Sequence, residues 1–329
     1  MKTRVWSDLS ADEKRGALMR PAGLTDSSVT ARVREIMESV KSGGDAAVLD
    51  YTRKFDGADL AALAVSPAAM KAAWENLPAD RKAALETAKA NIEAFHSAQI
   101  PVPIEVETMP GVTCRREAHA IETAGLYVPG GTAPLVSTLL MLAVPAKIAG
   151  VSRRIVVTPP GKDGQINPAI LAAAYLCGVT DMFACGGAQA VAALTYGTET
   201  IPACDKIFGP GNAYVAAAKS LAAQEPGGPA IDLPAGPSEA MVLADSHANP
   251  VFVASDLLSQ AEHDTLAQVV CVCTHENVAK AVEAEVTRQI ATLPRQNIAE
   301  KSIGSSLILI AGERRDVLDI VNQYAPEHL

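Results

Sequence analysis

The chain has 329 residues, of which 49% are hydrophobic, 20% charged and 4% aromatic, and its formal net charge is −9. One hydrophobic core rarely organises so many residues, so we expect two domains. The acidic balance and the scattered lysines and arginines argue against nucleic acid as a partner. No apolar run approaches the roughly 18 residues that cross a bilayer, and the polar start MKTRVWSDLSADEKRG does not resemble a secretory signal. We therefore expect a cytoplasmic protein that has no membrane partner.

The first hundred residues carry the spacing and the start signals of helices. Gly43-Gly44 separates two of these helices, and proline, which is tolerated in a first turn, opens two others. The predicted helices cover 11–19, 27–42 and 45–54, and two more begin at Pro67 and after Pro78. The next segment predicts a β-hairpin about Pro110-Gly111.

A strand, a glycine-rich turn and a helix alternate repeatedly between residues 124 and 224. This alternation predicts right-handed crossovers and a parallel sheet, in which ligands bind at the carboxyl ends of the strands. Small residues at the turns would let backbone amides and helix N-termini face an anion, and an amide side chain follows two of the turns. Tight packing of strand against helix is the alternative interpretation. The residues concerned are Gly130-Gly131, Gly186-Gly187, Gly209-Pro210-Gly211, Gln189 and Asn212.

A second α/β layer is expected after the Pro/Gly-rich stretch 225–239, because strands and helices alternate again. The early helices need a sheet to pack on, and this late segment offers one. The predicted fold is therefore α/β with two Rossmann-like domains, one of them discontinuous, and a short N-terminal helical arm. The predicted boundaries are 1–22 for the arm, 23–124 with 239–329 for the discontinuous domain, and 125–238 for the Rossmann-like nucleotide-binding domain.

The six cysteines lie mostly in apolar segments and lack CxxC spacing, so we expect reduced core residues. Cys271 and Cys273 alternate along a predicted buried strand, and a metal site is the alternative for this pair.

Gln260 and His263 are three residues apart in DLLSQAEHD, so both are expected on one face of a helix near its end. A carboxamide and an imidazole at this spacing would make half of a metal site. The alternative is a histidine that is favoured at a helix C-terminus by the helix dipole. The flanking Glu262 and Asp264 are expected to be solvated charges or partners of the ligands.

Glu327 and His328 are adjacent in NQYAPEHL, just after Pro326 ends the preceding helix. The two side chains can act as separate acid/base groups, since imidazole exchanges protons near neutral pH. An exposed pair without function is the alternative. The remaining histidines are expected at the surface.

Taken together, these motifs occur in the order found in one enzyme family. From LMRPAG at 18–23 to Leu329, the chain resembles the histidinol dehydrogenases. The motifs that carry the resemblance are YVPGGTAPLVSTLLMLAVPAKIAG, GGAQAVAAL with FGPGN, IDLPAGPSE, DLLSQAEH and NQYAPEHL.

The resemblance implies a zinc- and NAD-dependent oxidation of L-histidinol through L-histidinal to L-histidine, by a homodimer. Matching motifs residue by residue, it implies that Gln260 and His263 are zinc ligands and that Glu327 and His328 are the acid/base pair. Ser238 matches a substrate contact, and Gln260, His263 and His328 are expected to touch the substrate too. Tyr127, Gln189 and Asn212 match NAD contacts.

The implied mechanism divides the chemistry between the acid/base pair. Zinc would hold the amino alcohol in place. His328 would take the hydroxyl proton as hydride leaves for NAD, and Glu327 would activate water for the second oxidation, which uses a second NAD.

The chain departs from the family pattern after PEHL, where relatives continue with an aspartate and a histidine that complete the zinc shell. Two ligands do not make a closed zinc site. A polypeptide of these 329 residues alone is therefore expected to be inactive. The alternatives are a related oxidoreductase of another small alcohol, such as dihydroxypropanesulfonate, and a catalytically silent fragment.

Overall fold

The structure is a computed structural model that describes residues 1–20, 27–130, 135–179, 181–233 and 238–329. The chain forms two compact units, one of residues 1–25 with 236–329 and one of residues 26–235. The strands are β1 Lys2–Val5, β2 Ile104–Met109, β3 Val112–Arg116, β4 Thr123–Tyr127, β5 Arg153–Thr158, β6 Asp181–Ala184, β7 Lys206–Phe208, β8 Ala230–Ile231, β9 Glu239–Ala244, β10 Gln268–Cys273 and β11 Leu307–Ile310. The helices are α1 Ala11–Ala17, α2 Ser27–Asp56, α3 Pro67–Glu75, α4 Ala79–Ser97, α5 Val136–Ile148, α6 Pro168–Leu176, α7 Gly187–Tyr196, α8 Ala213–Ala222, α9 Pro250–Ala261, α10 Glu276–Ile290, α11 Gln296–Gly304 and α12 Arg314–Tyr324.

The 26–235 unit is built on a parallel five-stranded sheet in the order β6-β5-β4-β7-β8. Successive apolar residues of β5 enter opposite cores: Ile155 and Val157 pack with α7 and α8, while Val156 packs with α5 and α6. The strand order reverses between β4 and β7, which is the position where doubly wound sheets open a crevice for a nucleotide. The predicted α/β class with parallel sheets is confirmed.

The early helices also belong to this unit, which differs from the predicted grouping of 23–124 with 239–329. The apolar face of α2 packs against α7 and α8, α3 packs against α6, and α4 packs against α5. Residues 63–65 run antiparallel beside β6, with Val65 N donating to Met182 O at 2.8 Å and Ala184 N donating to Leu63 O at 2.8 Å. Helical periodicity shows which face is apolar but not which sheet covers it, so the sequence pattern could not choose between the two sheets.

Two local predictions in this unit are confirmed. The break expected at Gly43-Gly44 is a kink in α2, where Gly44 has φ 53° and ψ −140°. The expected hairpin is the antiparallel pair β2 and β3, with Gly111 at φ 80° in the turn.

The 1–25/236–329 unit is built on a parallel four-stranded sheet in the order β1-β11-β10-β9. Helices α9, α10 and α11 cover one face, and α12 with the N-terminal segment covers the other. The expected N-terminal helix is present as α1, but the segment before it is not a helical arm, because Lys2–Val5 pairs with β11 and Trp6 is buried. A four-residue stretch with two charges has no strand pattern of its own, and its pairing with β11 is a long-range contact.

The two cysteines of β10 are core residues, as predicted. Cys271 and Cys273 are fully buried and reduced, with their sulfur atoms 3.5 Å apart. Within the described ranges, no helix is long and apolar enough to cross a membrane.

Candidate active site

Gln260 and His263 lie at the C-terminal end of α9. The helix begins at the cap residue Asn249 and ends at Ala261, with Glu262 as its C-cap, so Gln260 occupies the last turn and His263 follows the helix. His263 N donates to Gln260 O at 3.2 Å, and Arg295 Nη2 donates to His263 O at 3.3 Å. The imidazole of His263 is exposed, and Gln260 is half-buried. The two residues therefore do not share a helical face as predicted, because α9 ends at Ala261 and His263 lies outside the helix.

Ser238 lies at the end of the four-stranded sheet where β9 and β10 begin, which we call its amino edge. Because β9, α9 and β10 form a parallel crossover, the C-terminal end of α9 returns to the amino ends of both strands. Ser238 immediately precedes β9, and its carbonyl accepts a hydrogen bond from Gln268 N, the first residue of β10, at 3.4 Å. The fold thus brings Ser238 and the segment that follows α9 to one edge.

Glu327 and His328 reach this edge from the end of α12. The backbone of His328 pairs in parallel with Ala240 on β9, and Met241 N donates to His328 O at 2.8 Å. Along a strand, two residues span about 7 Å, so His328 is close to Ser238. His328 Nε2 and Glu327 Oε1 are 3.8 Å apart, and both side chains are more than half exposed. How closely the side chains of Gln260 and His263 approach this pair stays a prediction.

Arg20 holds the turn that leads to the acid/base pair. Its guanidinium forms a two-pronged ion pair with the buried carboxylate of Glu239, and it donates to Tyr324 O at 2.7 Å and to Ala325 O at 3.0 Å. The same group lies 4.6 Å from the ring centre of Tyr324. The hydrogen bond to Glu239 raises the pKa of Arg20. Ala325 has a left-handed backbone, with φ 47°, and is the C-cap residue of α12. Arg20 caps this end of α12 by donating to its last carbonyl groups.

Tyr324 extends this network into the core. Its hydroxyl donates to Gln268 Oε1 at 2.8 Å, and burial raises its pKa. The sequence analysis missed Arg20, Glu239 and Tyr324 as neighbours of the site. LMRPAG was noted only as part of the family resemblance, and no spacing rule links residues so far apart.

The donor chemistry at this edge suits part of a zinc shell. Imidazole nitrogen and carboxamide oxygen can both bind zinc, which prefers four ligands. Among the described residues, however, no group of three or more His, Cys, Asp and Glu side chains is placed to hold a metal ion. Gln260 and His263 are therefore two candidate zinc ligands, and a complete zinc shell would need further ligands.

The candidate NAD residues lie in the 26–235 unit, at the carboxyl ends of its strands. Tyr127 ends β4, and its buried hydroxyl accepts a hydrogen bond from Gly187 N at 3.0 Å. Burial raises the pKa of Tyr127 to about 12, so the phenol stays neutral. Asn212 caps α8, with Oδ1 accepting from Tyr214 N at 3.0 Å and Val215 N at 3.1 Å. Asn212 is an exposed residue.

The glycine turns are partly explained by packing. Gly209 has φ 120°, and a Cβ there would collide with the carbonyl of Tyr127. Gly209 N donates to Asp232 Oδ2 at 2.7 Å, while Gly209 O accepts from the buried Lys219 at 2.8 Å, and Lys219 pairs with Asp232. A Cβ on Gly186 would meet Pro159. Gly130 is exposed, and Gly131 lies outside the described residues.

Gln189 gives the clearest sign of a ligand. It is 1% exposed, and its Oε1 is buried without a hydrogen-bond partner among the described residues. An acceptor buried in this way is costly unless a donor arrives. Together with the strand-order reversal between β4 and β7, this unpaired oxygen fits a nucleotide cofactor that carries hydrogen-bond donors.

Comparison with known proteins identifies the family of this chain. The family model described as histidinol dehydrogenase matches residues 19–329. A histidinol dehydrogenase of Bacteroides fragilis is 52% identical over 95% of the chain, and one of Mannheimia succiniciproducens is 49% identical over all of it. The chain spans 72% and 76% of these two relatives. The crystal structure of histidinol dehydrogenase from Elizabethkingia anophelis superposes with a TM-score of 0.91 at 43% identity, covering 100% of this chain and 75% of that one. The chain therefore belongs to the histidinol dehydrogenase family.

Proposed function

We propose that this chain supplies the NAD-binding residues, the acid/base pair and two zinc ligands of an enzyme that oxidises L-histidinol through L-histidinal to L-histidine, the last steps of histidine biosynthesis. The observation that carries the proposal is the meeting of Ser238, the end of α9 and the Glu327-His328 pair at the amino edge of one sheet. These segments are remote in sequence, and each carries a family motif. Zinc and NAD are the cofactors that this proposal requires, and we expect a cytoplasmic homodimer.

We assign substrate positioning to the edge of the four-stranded sheet. Gln260 and His263 are proposed to hold zinc, which fixes the substrate when bound. Ser238 and His328 are proposed to contact the substrate directly. Because Ser238 O and His328 O are both tied to strand backbone, at Gln268 N and Met241 N, the main chain at these two positions is rigid. A rigid main chain keeps the reacting groups within reach of each other.

We assign the proton transfers to Glu327 and His328. An imidazole nitrogen of His328 takes the hydroxyl proton of the alcohol, and the Glu327 carboxylate takes a proton from the water that attacks the aldehyde. Tyr127, Gln189 and Asn212 would hold NAD, which would supply the hydride acceptor. The exposure of both acid/base side chains supports this assignment, because a proton must leave to solvent after each step.

The test uses a joined chain, in which these 329 residues are followed by the C-terminal segment of the Bacteroides fragilis relative. We expect it to form two NADH per L-histidinol and to leave dihydroxypropanesulfonate unoxidised. Preference for dihydroxypropanesulfonate would overturn the substrate assignment. The control is His328→Asn in the joined chain, which should fold but form almost no NADH.

A further inference from the structure

Asp56 lies at the carboxyl edge of the five-stranded sheet, although it comes from a helix outside the strand-helix repeats. Asp56 is the last residue of α2, and residues 63–65 then run antiparallel to β6. Leu63 O pairs with the amide of Ala184, the final residue of β6. The intervening residues 56–62 therefore lie beyond the carboxyl end of β6. Nucleotides bind at this edge in doubly wound sheets.

One oxygen of the Asp56 carboxylate lacks a hydrogen-bond donor among the described residues. Asp56 Oδ2 is buried and has no hydrogen-bond partner among the described residues. Burial raises the pKa of Asp56 to about 6. At neutral pH the carboxylate is therefore mostly ionised and one of its two oxygens is kept from water, an arrangement that proteins seldom keep unless it has a function.

Asp56 and Gln189 belong to the same neighbourhood around Tyr127. The Tyr127 hydroxyl accepts from Gly187 N at 3.0 Å, and Gln189 Oε1 lies 2.6 Å from where a Cβ on Gly187 would be. The charge of Asp56 contributes to the raised pKa of Tyr127 and of Cys185, the residue directly after β6. Among the described residues, Asp56 Oδ2 and Gln189 Oε1 are therefore two buried acceptors without donors in the surroundings of Tyr127, and a ligand that fits them must bring donors.

No acidic residue directly follows β5, the strand after which a ribose-binding acid is usually found. In dinucleotide-binding sheets this acid follows the second strand of the unit and accepts from the adenosine ribose. The second strand here is β5, which is followed by Pro159-Pro160, and the first acidic residue after it is the exposed Asp163. Asp163 Oδ1 already accepts from Gln165 N at 3.0 Å within its own turn. The segment that follows Asp56 lies on the same half of the sheet, where residues 63–65 run beside β6.

We propose that Asp56 accepts a hydrogen bond from the 2′-hydroxyl group of the adenosine ribose of NAD, with Gln189 Oε1 as the second acceptor of the bound cofactor. The proposal rests on the NAD site proposed above and deepens it. It makes Asp56 the residue that selects NAD over NADP, because a 2′-phosphate would place its negative charge against a buried carboxylate.

The test is calorimetric titration of this 329-residue chain with NAD and with NADP at pH 8. Asp56→Ala is expected to weaken NAD binding about tenfold or more, the usual loss for a hydrogen bond to a charged group. In both Asp56→Ala and Asp56→Asn, the preference for NAD over NADP should shrink about tenfold or more. Asp59→Asn is the matched control, since it removes an exposed carboxylate of the same segment that pairs with Arg53. It should leave both affinities unchanged.

The outcomes separate this inference from the cofactor site itself. An unchanged preference in the Asp56 variants, with NAD binding intact in the parent, overturns the role of Asp56 alone. A parent that binds neither nucleotide overturns the proposed cofactor site. Asp56→Asn should melt at or above the parent temperature, because it removes an unpaired buried charge. An Asp56→Asn protein that fails to fold would show a structural carboxylate and would also overturn the proposal.

Discussion

Arg20 is the side chain that fastens the segment before the acid/base pair. In Arg20→Met the buried Glu239 carboxylate loses its partner, and two carbonyls at the end of α12 lose a donor. Because Arg20 is nearly half exposed, water replaces part of this loss, so we expect about 2 kcal/mol less unfolding free energy. Urea denaturation measures the change. Arg15→Met, which breaks an exposed pair with Asp12, is the control and should cost less than about 0.5 kcal/mol. Equal losses in the two variants would contradict the proposed role of Arg20.

Glu327 and His328 are expected to serve different steps. Only oxidation of the aldehyde consumes water, so Glu327→Gln in the joined chain should leave oxidation of L-histidinol largely intact and slow oxidation of L-histidinal at least about a hundredfold. Stopped-flow detection of NADH with each substrate measures the two steps. Equal loss in both steps would refute this division.

Asp56 should give the stability of the free protein a pH dependence of unusual sign. Its folded pKa of about 6 is above the ordinary aspartate value near 4. Between these values the folded state binds more protons than the unfolded state, so the contribution of Asp56 to stability falls as pH rises from about 4 to 6. Its titratable neighbours Tyr127 and Cys185 have raised pKa values and stay neutral in this window.

Thermal unfolding of the parent and Asp56→Asn across pH 4 to 7 tests this expectation. The parent should lose stability relative to the variant as pH rises through this window, and the difference should level off above about pH 7. A constant difference between the two proteins would contradict the raised pKa.

For single residues, the sequence predicted the local position only where the relevant neighbours are close in sequence. The spacing of Gln260 and His263 pointed to one helix end, and Asn212 was recognised beside a helix start. Arg20 could not be predicted from spacing, since its partner Glu239 is 219 residues away. Asp56 is the last residue of α2, and the sequence gives no reason to expect that the segment after this helix pairs with β6.

Among the elements, the kink of α2 depends on one glycine. Gly44 has φ 53°, and a Cβ there would meet the carboxylate of Glu199, which accepts from Asp45 N at 2.7 Å. We expect Gly44→Ala to lower the unfolding free energy by about 2 kcal/mol, from backbone strain and the displaced carboxylate. Gly16→Ala in α1 is the control, because no atom lies within 4 Å of its Cβ position. It should be neutral or slightly stabilising. Similar effects of the two substitutions in chemical denaturation would contradict the strain at Gly44.

Helices and strands could likewise be predicted where they depend on neighbouring segments of the sequence. The strand-helix repeats from β4 to α8 and the hairpin of β2 and β3 follow from periodicity and turn residues in adjacent segments. The pairing of β1 with β11 and the packing of α2 on α7 depend on contacts across most of the chain. Periodicity could not assign them, and the predicted domain grouping failed for that reason.

For the whole molecule, the two units carry different parts of the proposed reaction. The 26–235 unit presents the candidate NAD residues, and the other unit presents the zinc pair and the acid/base pair. The NAD affinity of this chain should therefore be independent of zinc. Calorimetric titration with NAD in the presence and absence of a chelator checks this, and a loss of affinity with the chelator would contradict it.

The most direct test of the account is zinc content after dialysis, measured together with NADH formation from L-histidinol. Gln260 and His263 supply two ligands, whereas catalytic zinc usually takes three from protein. We predict that these 329 residues alone retain well under one zinc per chain and form almost no NADH. The joined chain should retain about one zinc and turn over, and His263→Ala in the joined chain should lose both. Near-stoichiometric zinc with normal turnover in the 329-residue chain would contradict the account and would direct attention to His119 and His247 as ligands.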